Sequence, residues 1–328
     1  MGSEPDQLFS CSLDQKVLTS QGFTRPLLPF PATTQMKVAF LGPEGTYTHQ
    51  AVLQQFHPNV EISPKKSIGE CFEAIDSQTV DYAVVPFENS TNGQVVFTYD
   101  LLRDWFLDPQ KSCNFRIVGE QFVSIHHNLL SHGSNIEAIE TIYSHPQVWT
   151  QVSKFLKSLS SKCTRLDTAS TSQAAELASR DKSGKIAAIS SMMSARLYQV
   201  PILREGVEDN VDNTTRFLVL GYDTPPRYDR RKEGEEENRE RVTSLMFTLP
   251  NDNPGALCDV LVKFKKHGIN LTSINSRPAN LENWQYVFFV ETSGIDNGEA
   301  LHDIQQSCLT FIDLGTFDRN WRYNSKKY

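Results

Sequence analysis

Four short stretches carry side chains able to do chemistry. Gly42-Pro43-Glu44-Gly45-Thr46, Glu88-Asn89-Ser90 and Ser144-His145-Pro146-Gln147 each follow an apolar run. A fourth, Asn213-Thr214-Thr215-Arg216-Phe217, leads into Leu218-Val219-Leu220. They are rich in hydroxyl and amide groups and contain no lysine. Singly, each reads as ordinary structure: turns, helix caps, or threonines at a strand edge beside an arginine turned to water. Together they suggest a pocket for a small anionic molecule. Donors at the carboxyl ends of strands and at helix N-termini are suited to negative charge. His126-His127 adjoin without a carboxylate or cysteine at ligand spacing, so no metal is expected.

The elements that would hold these stretches follow from periodicity. Residues 37–41 and 80–87 read as short apolar strands. Tyr47, Ala51, Val52 and Phe56 recur at helical spacing, and Ser67-Ile68-Gly69-Glu70 is a capping box. A helix through Val95, Tyr99, Leu102 and Phe106 follows. A second block begins near Phe115, with extended chain over 117–125 and a capping box at Ser134-Asn135-Ile136-Glu137. After it come a strand at 141–143 and one helix carrying Val148, Val152, Phe155, Leu156 and Leu159. Ser170-Thr171-Ser172-Gln173 caps a further helix, 185–189 is a strand and 192–198 a helix. This alternation predicts an α/β architecture with mostly parallel strands.

The 328 residues suffice for two domains. A net charge of -7 argues against nucleic acid as a partner, and no apolar run approaches the roughly 20 residues of a membrane-spanning helix. Six scattered cysteines without a CxxC pair read as free thiols in a reducing compartment, so a cytoplasmic location is expected. Residues 1–35, rich in Ser, Gln and Pro, read as a flexible N-terminal extension without the pattern of a secretory signal. Residues 223–241 form a charged linker with little to bury. From 242 to 328 the order strand, helix, strand, strand, helix, strand is ferredoxin-like, and its sheet has a face or edge free for pairing.

In this order and combination the motifs resemble those of the prephenate dehydratase family with a C-terminal ACT regulatory domain. The resemblance runs from about Val38 to the end. It rests on Gly42 to Tyr47, on Val85-Pro86-Phe87-Glu88-Asn89-Ser90, on Ser144 to Gln147 with Gln151 a turn later, and on Thr215-Arg216-Phe217. In the tail, Gly255-Ala256-Leu257-Cys258-Asp259-Val260-Leu261 and Asn275-Ser276-Arg277-Pro278 resemble the family's regulatory motifs, with Asn275 where the usual pattern has Glu.

The resemblance implies a catalytic domain over 36–222 with two lobes like the type II periplasmic binding fold, the second over about 115–205. An ACT domain would follow over 242–328. It implies loss of carbon dioxide and water from prephenate to give phenylpyruvate, with no cofactor. Thr215 would donate to the leaving hydroxyl, with Glu88 and Asn89 as its catalytic neighbours. Thr46, Ser90, Ser144, Gln151, Arg216 and Phe217 would surround the substrate. Regular strand alternation puts Thr215 and Arg216 on opposite faces. With Thr215 in the cleft, Arg216 would instead lock the strand to another element through a carboxylate. L-Phenylalanine would bind at Asn253, Gly255, Ala256, Leu257, Asn275, Ser276, Arg277 and Pro278, between ACT domains of a homodimer or homotetramer. Arogenate is the alternative substrate. A non-catalytic binding protein is the alternative class, since one fold serves many functions.

Overall fold

A computed structural model describes residues 35–56, 60–111, 113–159, 163–226, 240–293, 298–320 and 323. All but the last residue of the expected N-terminal extension, and most of the charged linker, lie outside these residues. The first lobe contains β1 (Lys37–Leu41), α1 (Tyr47–Phe56), β2 (Glu61–Lys65), α2 (Ile68–Asp76), β3 (Tyr82–Asn89), β4 (Gly93–Gln94), α3 (Val96–Phe106) and β5 (Arg116–Ser124). Ser67 caps α2, its Oγ accepting from the Glu70 amide at 3.1 Å, while the Glu70 carboxylate takes the Lys66 amide at 3.0 Å rather than the Ser67 amide of a full capping box.

The second lobe holds β6 (Asn128–Leu130), a single 3-10 turn (Ile136–Ala138), β7 (Thr141–Ser144), α4 (Pro146–Gln151) and α5 (Ser153–Lys157). It continues with β8 (Thr164–Asp167), α6 (Thr171–Arg180), β9 (Ile186–Ser190), α7 (Met192–Leu197) and β10 (Ile202–Arg204). The chain then returns to the first lobe as β11 (Thr214–Gly221), which inserts between β3 and β5 in the order β2-β1-β3-β11-β5. Three sequence expectations change here. β5, expected to open the second lobe, belongs to the first lobe's sheet because β11 pairs along its whole length. The strands are mixed rather than mostly parallel: β11 comes back from the other lobe and must run antiparallel to both neighbours. The single helix expected over 148–159 breaks at Val152. There the Asp209 carboxylate takes the amides of Ser153 and Lys154 at 2.7 and 2.9 Å, starting a new helix.

The small domain comprises β12 (Arg241–Thr248), α8 (Ala256–Lys266), β13 (Asn270–Pro278), β14 (Tyr286–Ser293), α9 (Gly298–Gln305) and β15 (Thr310–Asp318), with sheet order β13-β14-β12-β15. This is the expected ferredoxin-like arrangement. One face of its sheet packs Leu245, Phe247 and Val290 with Val260 and Phe264 of α8 and Ile304 of α9. The other face is not free. Val242, Met246, Val287, Phe289, Leu314 and Phe317 share one core with Phe72, Val85, Tyr99 and Leu218 of the first lobe. Gly315 (φ 140°) makes that approach possible, because a Cβ there would meet the Ile117 carbonyl oxygen at 2.1 Å.

Candidate active site between the lobes

The site is set by one extra residue in β3. Along β11, Phe217 pairs with Pro86 but Arg216 pairs with Glu88, so Phe87 is the bulged residue. Ala83, Val85 and Phe87 face the small-domain side, and after the bulge Glu88 joins them. Asn89 is thereby turned to the opposite face, directly across from Thr215.

Asn89 Nδ2 donates to Thr215 Oγ1 at 2.9 Å and to Asn213 Oδ1 at 2.8 Å. Its Oδ1 accepts from the amides of Thr91 and Asn92 at 3.0 and 2.9 Å. Backbone N–H groups can only donate, so the orientation of the Asn89 amide is fixed by chemistry. Thr215 Oγ1 must therefore accept from Asn89, and its own proton is left to be given elsewhere. Asn213, 2% exposed, completes this cluster; its place just before the Thr-Thr-Arg-Phe run was the signal for it.

Arg216 faces the other way, and its expected place among the substrate contacts does not hold in this geometry. Its Nη1 and Nη2 grip Glu291 of β14 at 2.7 and 2.8 Å, and its Nε donates to Glu120 of β5 at 2.7 Å. Burial alone would depress its pKa, but the Glu291 and Glu120 carboxylates outweigh that and hold it above the ordinary arginine value. Arg319 and the Asn320 amide also bind Glu120. Glu88, expected beside Thr215, instead lines a cavity of about 300 Å³ with Ser90, Arg216, Thr272, Glu291 and Arg319. Ser90 Oγ is engaged by the Thr214 amide at 2.9 Å. Phe217 is core, 2% exposed among Phe40, Val52 and Val84.

Each of the remaining expected contacts bonds within its own lobe. Thr46 Oγ1 donates to the Pro43 carbonyl at 2.9 Å and accepts from the His49 amide at 3.3 Å, starting α1. Ser144 is fully buried and donates to the Ile189 carbonyl at 2.8 Å, tying β7 to β9. The cap of α4 is His145, whose Nδ1 accepts from the Gln147 amide. Gln151 Oε1 lies 2.7 Å from His127 Nε2. Burial lowers the His127 pKa, against the opposing pull of Gln151 and Glu208, so its imidazole is neutral and donates that bond. Tyr47 donates to the His126 carbonyl at 2.8 Å and sits 3.2 Å from His127 Nδ1. Gly45 (φ 84°) offers its carbonyl to Ser191 and Ser194 of the second lobe, at 3.2 and 2.9 Å, while Ser172 donates to the Glu44 carbonyl. The Ser190-Ser191 pair and Ser194 carried no motif that marked them beforehand.

In the small domain, Asn253 and Gly255 are exposed before α8, Ala256 is buried and Leu257 packs on the domain's core. The Asn275-to-Pro278 segment splits by alternation. Asn275 donates to the Tyr99 hydroxyl at 3.0 Å, and Arg277 forms a two-pronged pair with Asp100 at 2.8 and 2.8 Å, so both face the first lobe. Ser276 and Pro278 are exposed on the other face.

These features define a two-lobed α/β protein with its polar cluster where the lobes meet and a small βαββαβ domain against the first lobe. Among known families, the prephenate dehydratase pattern matches residues 38–225 and the ACT domain pattern matches 243–308. A probable prephenate dehydratase of Saccharomyces cerevisiae is 39% identical, covering 90% of this chain and 100% of the yeast protein. The crystal structure of a prephenate dehydratase from Arthrobacter aurescens in complex with L-Phe superposes with a TM-score of 0.73. It is 27% identical and covers 87% of this chain and 90% of that one. A structure described as a novel type of quorum quenching acylase, GqqA, gives a TM-score of 0.72 at 25% identity over 88% and 99% of the two chains. The chain belongs to the prephenate dehydratase family and is an enzyme of that lyase class carrying a C-terminal ACT domain.

Proposed function

We propose that the chain converts prephenate to phenylpyruvate, carbon dioxide and water. The bond between the ring and its carboxylate breaks, its electron pair enters the ring, and the hydroxyl on the far side of the ring leaves. One proton converts that departing hydroxide to water, so atoms and charge balance without a redox step. The observation that carries this reading is the Asn89–Thr215 pair. Because Asn89 occupies the acceptor side of Thr215, the threonine's proton is directed at whatever oxygen lies beyond it. A threonine is a weak acid, and its task is to hydrogen-bond oxygen as negative charge develops there. General-acid assistance of this kind contributes about 100- to 10,000-fold.

Gln151, with its Oε1 held by His127, keeps its amide donors for a substrate carboxylate. The N-terminus of α6, beside the Glu44 loop, adds partial positive charge on the second lobe. Both suit a dianion. L-Phenylalanine lowers the activity through the exposed loop at Asn253 to Gly255 that leads into α8 and the Ser276 face of β13. Support comes from the relative with L-Phe bound and from the place of that loop before α8. The ACT domains join two or four copies, which light scattering would count.

The deciding assay incubates the purified chain with prephenate and with arogenate and measures phenylpyruvate and phenylalanine. Phenylpyruvate from prephenate is expected. Phenylalanine from arogenate alone would move the substrate to its amino analogue, and no product from either would overturn the reading.

A further inference from the structure

Thr215 and Arg216 are consecutive, and the two faces of β11 give them different work. Arg216 has its guanidinium near the rings of Phe87 and Phe122, at 5.3 and 6.0 Å, and is 7% exposed. Its Nη1 and Nη2 both end on Glu291, itself 5% exposed, a residue of the ACT domain and not of the catalytic lobes. Glu120 cannot substitute for it, being shared with Arg319 and the Asn320 amide. Among the described residues, the only other carboxylate lining the adjoining cavity is Glu88, the cross-strand neighbour of Arg216, which carries no ion pair there. Glu88 sits in the bulge and is bonded through the chain to Asn89, the residue that orients Thr215.

We propose that Glu291 is a positioning residue for the reaction. It holds Arg216 away from Glu88, so that the β3 bulge keeps Asn89 aligned with Thr215. Without the Glu291 charge, Arg216 turns to Glu88, the bulge shifts, and the Thr215 proton loses its aim. A displacement of about 1 Å at a reacting group costs on the order of 100-fold in rate. This inference rests on the assignment of Thr215 above.

The test uses the full-length chain and prephenate. Wild-type turnover is measured first, and its absence would overturn the assignment of function and this proposal with it. With turnover established, Glu291→Gln is expected to lower kcat about 100-fold while KM stays within about threefold. Adding Glu88→Gln in that background is expected to recover at least tenfold, because the competing carboxylate is gone. Asp100→Asn, which cuts the Arg277–Asp100 ion pair between the domains, is expected to lower the thermal midpoint and leave kcat within about twofold. Wild-type kcat in Glu291→Gln overturns the proposal and leaves the function standing. So does an equal loss of kcat in Asp100→Asn, or a double variant no faster than Glu291→Gln. If Glu291→Gln does not fold, Glu291→Met takes its place; it removes the charge while filling the volume, and an unchanged kcat there is equally fatal.

Discussion

At the scale of residues, the hydroxyl of Thr215 is defined by what it receives. Thr215→Ala removes the donor and leaves Asn89 with Asn213 as its partner, so substrate affinity should stay within a few-fold while kcat falls about 100- to 10,000-fold. Single-turnover measurement of phenylpyruvate checks this, and a wild-type rate would refute the assignment. A second residue-scale effect concerns His127, 1% exposed and facing Tyr47, Gln151, Glu208 and His126. Its pKa is lowered in the fold from 6.5, mainly by burial, so below about pH 6.5 the unfolded chain takes up a proton that the folded chain refuses. The stability it contributes is complete above that pH and drains away as pH falls toward the depressed folded value. His49 and His145, also lowered by burial, act in the same direction. Urea midpoints between pH 8 and 5 should therefore fall on the acid side. His127→Gln should flatten that slope, and an unchanged slope would rule His127 out as a contributor.

At the scale of elements, the helices and strands whose pattern was local could be read in the sequence, and those made by distant partners could not. Ser67 and Ser170 announced their helices because a cap needs only the residue three places on. The break at Val152 could not be foreseen, since its cause, Asp209, lies 57 residues away on the returning chain. The short strands β2 and β8 lack an apolar run and exist through pairing with β1 and β7. Alternation along β11 correctly separated Thr215 from Arg216 and named a carboxylate as the arginine's partner. The bulge in β3 was invisible, and it turned Glu88 away from the threonine it was expected to serve. Gly315 belongs to this scale too. Gly315→Ala would push β15 off β5 and strain a residue at φ 140°, with an expected cost of about 2 to 4 kcal/mol in urea unfolding. A loss under about 0.5 kcal/mol would show that the joint can relax.

At the scale of the whole described molecule, the order of motifs along the chain revealed more than any one of them. Polar clusters at Gly42, Glu88, Ser144 and Asn213 marked where the two sheets present their ends to each other, because such ends are where backbone donors remain unspent. What stayed hidden was how much the small domain contributes to the first lobe. Its sheet was expected to keep a face or edge free; among the described residues β13 remains an edge strand, while the face away from the helices completes a core containing Val85 and Leu218. Apolar residues on both faces of a strand do not say which neighbour each will find. The same ambiguity concealed Arg277, whose motif suggested a ligand and whose guanidinium in fact grips Asp100.

Gly45 bears on the timing of the catalytic cycle. Its carbonyl is held by Ser191 and Ser194 across the gap between the lobes, and a Cβ there would meet Ser172 Oγ at 2.6 Å. Opening the cleft must break these bonds, and closing it must remake them. A clasp that closes over bound substrate before the reaction would commit it to turnover. A carbon-13 label in the departing carboxylate should then show a muted isotope effect in the wild type. Gly45→Ala wedges the clasp ajar, lets substrate escape before it reacts and should reveal the full effect at a lower kcat/KM. Equal isotope effects in the two proteins would mean that bond breaking, and not the clasp, is the slow step.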